Sequence, residues 1–170
     1  TVSPYHISGT VRHWKEDRGV SIVSLAIEGE PDRTYQTDLS GSYTVARISN
    51  GACTVTPNKS DDTGAISAYD ASLALQHAAG LRALTGYAFW AADVNKNGSV
   101  TAMDAYYILQ AATGALTLPF PGADRIWEFD PPSRYYASTT SDWDNQDYVA
   151  VLLGDVSGNA AGRILAVPTP

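Results

Sequence analysis

The chain has 170 residues, of which 44% are hydrophobic, and it carries a formal net charge of −7 with an isoelectric point near 4.7. That length suggests one large or two small domains, and the apolar fraction is sufficient for packed cores. The negative charge argues against nucleic-acid binding, which calls for a basic surface. No apolar run is long enough to cross a bilayer, so membrane insertion is not expected.

The first 57 residues alternate between apolar and polar side chains in five short runs, which predicts a small all-β domain. The predicted strands cover residues 5–12, 20–27, 33–37, 42–45 and 53–57. Cys53, the only cysteine, lies in the last strand and is interpreted as a small core residue, so no disulfide framework is expected.

Three phrases of this region, I-S-G-T-V, T-D-L-S-G-S-Y-T-V and G-A-C-T-V-T-P, resemble the carboxypeptidase-regulatory-like or Cna-B-type fold. The resemblance implies an immunoglobulin-like β-sandwich with a structural role as a spacer or stalk. Residues 57–60 pass almost directly into the next segment, which favours a rigid pair of domains over a flexible string.

From residue 58 the pattern changes to helical, and one loop–helix unit occurs twice. The segment D-A-S-L-A-L-Q-H-A-A-G begins at Asp70, and the similar segment D-A-Y-Y-I-L-Q-A-A-T-G begins at Asp104. Apolar residues recur at helical spacing in both, and Gly80 and Gly114 stand where C-terminal caps belong. An internal duplication is therefore predicted, because each unit alone is too small to bury its apolar face.

The loop before the second helix has the residue spacing of a calcium site. Oxygen-bearing side chains stand at positions 1, 3, 5, 7, 9 and 12 of a twelve-residue loop: Asp93, Asn95, Asn97, Ser99, Thr101 and Asp104. Calcium takes about six to eight oxygen ligands, and Gly98 at position 6 permits the tight curl that brings them together. The alternative is an ordinary turn rich in Asp and Asn.

The loop before the first helix is incomplete at its front. Counting back from Asp70 at position 12 gives three oxygen-bearing residues, at positions 9, 5 and 3: Ser67, Thr63 and Asp61. Lys59 falls at position 1, where a lysine side chain cannot be a ligand. Either Asp61 or Asp62 opens a shortened loop, or the missing oxygens come from elsewhere in the chain.

The segment L-G-D-V-S-G-N near the C-terminus looks like the opening half of such a loop, with oxygens at Asp155, Ser157 and Asn159. No helix led by an aspartate follows to complete it. We therefore hypothesise that Asp155 and its neighbours complete the site of Asp61 to Asp70 in space. The alternative is a hydrophilic turn after the predicted strand 149–153.

Residues 58–115 resemble the dockerin family, whose modules are duplicated calcium loop–helix units of secreted microbial proteins and cellulosome components. The resemblance implies two bound calcium ions, with Ser99 binding through its backbone carbonyl and Thr101 directly or through water. It implies a cohesin-like protein partner and a secreted or cell-surface location. The N-terminal residues T-V-S-P-Y-H lack the charged and apolar regions of a signal peptide, so a mature fragment without its signal peptide is expected. By the same analogy, the partner contacts come from loop positions 10 and 11 and the following helix: Ala68, Tyr69, Leu75, Gln76, Ala102, Met103, Leu109 and Gln110.

Residues 116–147 are an insertion that a minimal dockerin does not need. Prolines and aromatic residues alternate in it, and the segment either packs onto neighbouring helices or presents a platform on which sugar rings stack, in which case Trp127 and Trp143 are candidates. The glycine and position-12 carboxylate of a calcium loop are missing around its acidic stretch: Asp142, Asp144, Asn145 and Asp147.

No enzymatic role is expected, because the three histidines, His6, His13 and His77, show no metal-binding spacing and no nucleophile motif occurs. The expected fold is an N-terminal all-β sandwich over 1–57, then an α-helical dockerin-like EF-hand pair over 58–160 and a tail over 161–170. The expected function is a non-catalytic calcium-binding module that docks or anchors a larger secreted protein, such as one acting on polysaccharides. The alternatives are a calcium-stapled structural spacer and a carbohydrate-binding module.

Overall fold

Two compact units make up the chain in a computed structural model, which describes residues 5–28, 33–46 and 51–160. The first unit comprises residues 1–59 and 127–150, and the second comprises 60–126 and 151–170. The tail predicted at 161–170 lies outside the described residues. Among the described residues, no helix is both long and apolar enough to cross a membrane.

The strands form two four-stranded sheets, in the orders β4-β1-β8-β6 and β3-β2-β5-β7. Their bounds are β1 His6–His13, β2 Ser24–Ile27, β3 Thr34–Gln36, β4 Ser42–Ala46, β5 Cys53–Asn58, β6 Trp127–Asp130, β7 Arg134–Tyr136 and β8 Tyr148–Leu152. Strand β1 runs antiparallel to β4 and parallel to β8, with Val11 opposite Tyr148. In the other sheet, β5 pairs antiparallel with both β2 and β7.

Alternation of buried and exposed side chains explains the strands at the N-terminal end of the chain. In β5, Cys53 and Val55 are buried on alternate positions, as expected for strands with one face in a core. Strand β2 is shorter than the predicted 20–27. The reason is Ile22, whose φ of +55° is costly for a β-branched residue and interrupts the extended backbone.

The expected fold class, an all-β sandwich followed by an α-helical EF-hand pair, is wrong. The described residues form mostly small β-sheets, two of four strands each, with three short helices. Part of the segment expected to be an insertion, 116–147, forms the short strands β6 and β7, and β8 follows the segment. Trp127 and Phe129 are buried on alternate positions of β6, as expected for a strand with one face in a core.

The three helices of the described residues lie in the second unit: α1 Ala68–Ala78, α2 Gly86–Ala92 and α3 Ala102–Ala112. Both α1 and α3 begin with a capping box. The Asp70 carboxylate accepts the Ser67 N–H at 2.9 Å, and the Asp104 carboxylate accepts the Thr101 N–H at 2.9 Å. The short helix α2, which was not predicted, connects α1 to the calcium-type loop at 93–104.

Both long helices end at the glycines that the sequence indicated. Gly80 and Gly114 have φ angles of +72° and +76°, which a residue without a Cβ adopts at little cost. The N–H that follows each glycine donates at 2.9 Å to a carbonyl of the last turn, that of Gln76 or Gln110. The duplicated segments therefore fold alike from the first capping residue to the last.

Among the described residues, one cluster of buried apolar side chains packs the helices together with the loops between them. Its buried members are Ala71, Leu73, Ala74, Leu84, Ala92, Val94, Val100, Ala105, Ile108, Phe120, Leu153 and Val156. Three of these residues belong to predicted calcium loops: Val94 and Val100 lie in the loop at 93–104, and Val156 lies in the half-loop near the C-terminus. The loops are thus fixed to the same core as the helices.

Candidate metal centre

The loop from Asp93 to Asp104 folds around its own side-chain oxygens. At position 1, the two carboxylate oxygens of Asp93 accept the N–H groups of Asn97 at 3.1 Å and Gly98 at 2.9 Å. The side-chain oxygen of Asn95 accepts the same Asn97 N–H, and that of Asn97 accepts the Ser99 N–H. Asp93, Asn95 and Asn97 therefore turn toward the inside of the loop, where a cation ligand must point.

Asp104, at position 12, closes the loop from the other side. One oxygen of its carboxylate accepts the Asn95 N–H at 3.3 Å, and the other accepts the N–H and hydroxyl of Thr101, each at 2.9 Å. Asp104 is fully buried and Asp93 nearly so. Two buried carboxylates in one small loop fit a divalent cation, because buried charges require a partner of opposite sign.

The half-loop near the C-terminus has the same hydrogen bonds at its own position 1. Asp155 Oδ1 accepts the Asn159 N–H at 3.0 Å, and its Oδ2 accepts the Ala160 N–H at 2.9 Å. In the intact loop, Asp93 accepts the N–H groups four and five residues ahead of it in the same way. The turn is also alike, since Gly158 and Lys96, both at position 4, have φ angles of +69° and +58°.

Asp70 accepts a hydrogen bond from this half-loop in the same way that Asp104 accepts one from the intact loop. Its Oδ1 accepts the Ser157 N–H at 2.7 Å, and its Oδ2 accepts the Ser67 N–H at 2.9 Å and the Ser67 hydroxyl at 2.6 Å. Ser157 stands at position 3, the position of Asn95 in the other loop. The fold therefore brings positions 1 to 6 from residues 155–160 together with positions 9 to 12 from residues 67–70.

The residues counted at the front of the first loop, ahead of Ser67, lie at different places. Asp61 and Asp62 are exposed, and the Thr63 carbonyl accepts the Ile66 N–H at 3.2 Å. Lys59, which falls at position 1 by counting, is buried in the first unit, where its ammonium donates to the Ser21 carbonyl at 3.1 Å. Lys59 therefore lies away from Asp70, whereas Ser157 of the half-loop donates to the Asp70 carboxylate.

The described residues contain no group of three or more His, Cys, Asp or Glu side chains placed to hold a metal ion. Each loop described above has two carboxylates and otherwise offers amide, hydroxyl and carbonyl oxygens, which are ligands that calcium accepts. Transition metals favour nitrogen and sulfur ligands instead. The donors in both loops therefore fit a hard, oxygen-binding cation.

The residues predicted to contact a partner lie mainly on the outside of α1 and α3. Tyr69 is 60% exposed, Leu75 52%, Met103 51% and Leu109 44%. The smaller Ala68 and Ala102 are also exposed, and Gln76 and Gln110 are partly so. One further aromatic of this kind was missed: Tyr106 is 52% exposed one helical turn after Met103, a spacing that could have indicated it.

The acidic side chains of the stretch 142–147 form hydrogen bonds and ion pairs with neighbouring residues. The His6 ring bridges Asp142 at 3.1 Å and Asp144 at 2.9 Å, and Asp147 accepts the Thr10 N–H at 2.7 Å. Hydrogen bonds from Ser8 and His6 hold the pKa of the Asp144 carboxyl below its usual value. These acidic side chains therefore contact strand β1.

The remaining histidines and the aromatics of the predicted insertion are mostly packed. His77 Nδ1 accepts the Leu84 N–H at 3.0 Å, and His13 is buried. Trp127 is 2% exposed, whereas Trp143 is 38% exposed with its ring edge-on to another aromatic. Of the two tryptophans named for sugar binding, only Trp143 has a ring that reaches the surface.

No protein-family model matches this chain, and no curated protein or solved structure matches it either. The resemblances to dockerins and to Cna-B-type domains therefore depend on the residues of this chain alone. For the metal centre, those residues are the intact loop at 93–104 and the two half-loops at 67–70 and 155–160.

Proposed function

We propose that this chain is a non-catalytic calcium-binding module of dockerin-like kind, which docks a cohesin-type protein partner and so anchors or assembles a larger secreted or cell-surface protein. The proposal depends chiefly on one observation. Large apolar side chains at matching positions of α1 and α3 are exposed, those of α3 next to the loop at 93–104 with the oxygen spacing of a calcium site and those of α1 next to the partial loop that ends at Asp70.

Calcium fits the intact loop better than magnesium does. The loop offers carboxylates at Asp93 and Asp104, amide oxygens at Asn95 and Asn97, and the carbonyl of Ser99. Magnesium prefers a near-ideal octahedron and keeps several waters, whereas calcium accepts about six to eight oxygens in a flexible shell. A bound calcium ion supplies a double positive charge that offsets the two buried carboxylates.

The exposed face of α1 and α3 fits a protein partner. Water-exposed apolar side chains that cluster on one surface mark interaction sites more often than isolated ones do. Tyr69 and Met103 occupy position 11 of their loops, and Leu75 and Leu109 occupy the same place in their helices. Tyr69 and Met103 each lie at the end of a proposed metal loop, where a helix begins. Calcium binding to the loop would therefore fix the orientation of the helix and of its exposed apolar side chains.

A binding experiment tests the docking proposal directly. Cohesin-type modules from the same source organism are titrated into the full chain by calorimetry, with about 1 mM free calcium or with excess EDTA. We expect binding in calcium and none in EDTA. The double variant Leu75→Asp, Leu109→Asp should bind at least tenfold more weakly, because it places charge in an apolar interface.

Leu81→Asp is the matched control, since Leu81 is 80% exposed but lies just after α1 and outside the predicted face. It should leave the affinity unchanged. Equal loss of affinity in the control and in the double variant would contradict the assignment of the face. Binding that persists in EDTA would contradict the role of calcium.

A second candidate function, a calcium-stapled structural spacer, is favoured by the split position of the other loop. The Ser157 N–H donates a hydrogen bond to Asp70, although the two residues lie 87 positions apart in sequence. An ion held by both of their segments would staple the second unit together. Under this alternative, chelation lowers the melting temperature while no cohesin-type partner binds.

A further inference from the structure

The loop at 93–104 contains a chemically reactive dipeptide at its surface. Asn97 is followed by Gly98, and both residues are exposed. The backbone nitrogen after an asparagine can attack the side-chain amide and close a five-membered ring, and glycine hinders this attack least because it has no Cβ. A Cβ placed on Gly98 would meet no described atom within 4 Å apart from its chain neighbours. The surroundings therefore leave this side of the turn open.

Asn95 provides an internal comparison within the same loop. Its side-chain oxygen accepts the Asn97 N–H at 3.1 Å, just as that of Asn97 accepts the Ser99 N–H at 2.9 Å. In both side chains this hydrogen bond polarises the carbonyl that a neighbouring nitrogen would attack. A lysine follows Asn95, whereas a glycine follows Asn97. The following residue therefore distinguishes two amides that are otherwise held in the same kind of local turn.

A carboxylate restrains the nitrogen that would attack Asn97. The Gly98 N–H donates to Asp93 Oδ2 at 2.9 Å, and Asp93 is buried. Hydrogen bonds to an ionised acceptor are among the strong ones in proteins. Ring closure requires the Gly98 nitrogen to lose its proton and to move toward the Asn97 side chain, so this hydrogen bond must break first. The closed loop therefore slows a reaction that the dipeptide itself favours.

We propose that Asn97 is a site of spontaneous deamidation, which the closed loop restrains through Asp93. The Gly98 nitrogen loses its proton to hydroxide and bonds to Asn97 Cγ, and the side-chain nitrogen takes up a proton and leaves as ammonia. Water then opens the succinimide at either carbonyl, which gives aspartate or isoaspartate. Water is the co-reactant, and no group is oxidised or reduced. This modification goes beyond the proposed function and does not depend on calcium binding.

Either product changes the loop. Aspartate at position 97 adds a third carboxylate to a loop that already holds Asp93 and Asp104. Isoaspartate adds the same charge and also inserts one methylene group into the backbone. The inserted group moves the acceptor of the Ser99 N–H, which stabilises the present turn. Deamidation therefore alters both the charge and the geometry of this loop.

Peptide mapping by mass spectrometry tests the proposal in the unaltered full chain. The protein is incubated in mildly alkaline buffer with EDTA, either folded or unfolded in urea, and the conversion of each asparagine to an acid is followed over time. In the folded chain, Asn97 should convert at least about tenfold faster than Asn95, because the glycine lowers the barrier to ring closure. In urea, Asn97 should convert at least about tenfold faster than in the folded chain, because the restraint is lost.

Two variants separate local restraint from general loosening of the second unit. Asp93→Ala removes the acceptor of the Gly98 N–H and should bring the conversion of Asn97 close to its rate in urea. Ile108→Ala is the matched control, because it destabilises the same unit through a core cavity and leaves every loop side chain in place. It should leave Asn97 near the parent rate.

The outcomes decide each part of the proposal. Equal conversion of Asn97 and Asn95 in the folded parent chain would overturn the modification site. Equal rates for Asn97 in the folded chain and in urea would overturn the restraint by the loop. Equal acceleration by Asp93→Ala and Ile108→Ala would overturn the role of Asp93. The first two comparisons use the parent chain alone, so they do not depend on whether a variant folds.

Discussion

Gly154 stands directly before Asp155, and replacing it with alanine should destabilise the second unit strongly. Its φ is +91°, and a Cβ built on it would lie 2.9 Å from Phe120 Cζ and 3.3 Å from Ile66 Cδ1. Phe120 is 1% exposed, so its ring has little room to move aside. The substitution therefore combines backbone strain with overpacking of a close-packed core.

A control substitution at Gly80 separates the cost of backbone strain from the cost of overpacking. Its φ is +72°, but an added Cβ there meets nothing within 4 Å. Gly80→Ala should lose about 1–2 kcal/mol of unfolding free energy through left-handed backbone strain alone. Gly154→Ala should lose about 1–3 kcal/mol more, because overpacked cores pay that additional cost.

The difference in unfolding free energy between the two variants is measured by urea unfolding, monitored by the far-ultraviolet circular dichroism of the helices. This signal reports on the second unit, because the three described helices all lie there. With a slope of about 1–3 kcal/mol per molar urea, the extra loss lowers the midpoint of Gly154→Ala by about 1 M below that of Gly80→Ala. Equal midpoints for the two variants would refute the argument that Phe120 and Ile66 confine this position.

Three further predictions address the core, the metal loops and the first unit. Ile108→Ala should lower the unfolding free energy by about 2–5 kcal/mol in urea titrations, because Ile108 is fully buried and its loss leaves a cavity. Chelation by EDTA should lower the melting temperature in calorimetry and added calcium should restore it; an unchanged melt would contradict ion binding. Burial raises the pKa of Tyr136 to about 12 and also raises the pKa values of Tyr43 and Tyr148. The tyrosine hydroxyls of the unfolded chain lose their protons near pH 10, whereas those of the folded state keep theirs to a higher pH. The unfolding free energy should therefore fall as the pH rises from 10 toward 12. A pH titration of the folded protein should show phenolate absorbance that appears above pH 10.

The local features of the second unit were readable from the sequence. The terminal glycines Gly80 and Gly114 lie where the sequence predicted C-terminal caps, and the N-caps Ser67 and Thr101, which were predicted only as loop oxygens, immediately precede the two helices. These features depend on contacts within about four residues, so the chain encodes them where they occur. The oxygen spacing of the loop at 93–104 is local in the same sense.

The strands after residue 126 were not predictable in the same way. Prolines at 131 and 132 interrupt the segment, and its aromatics suggested an irregular insertion. β6 and β7 each become a strand only because another strand of distant sequence lies beside it, as β5 lies beside β7. Short strands gain their stability from such neighbours, so their existence is decided by the tertiary structure.

By itself, the sequence determined the repeated loop–helix unit, its terminal glycines and the oxygen spacing of the loop at 93–104, because these depend on residue types at fixed short spacings. It left two explanations for the damaged first loop. The tertiary structure decided which segment meets Asp70, by seating Leu153 and Val156 in the core and bringing Ser157 within hydrogen-bonding distance. Contacts between segments so far apart depend on how the whole unit packs, and no local pattern encodes that.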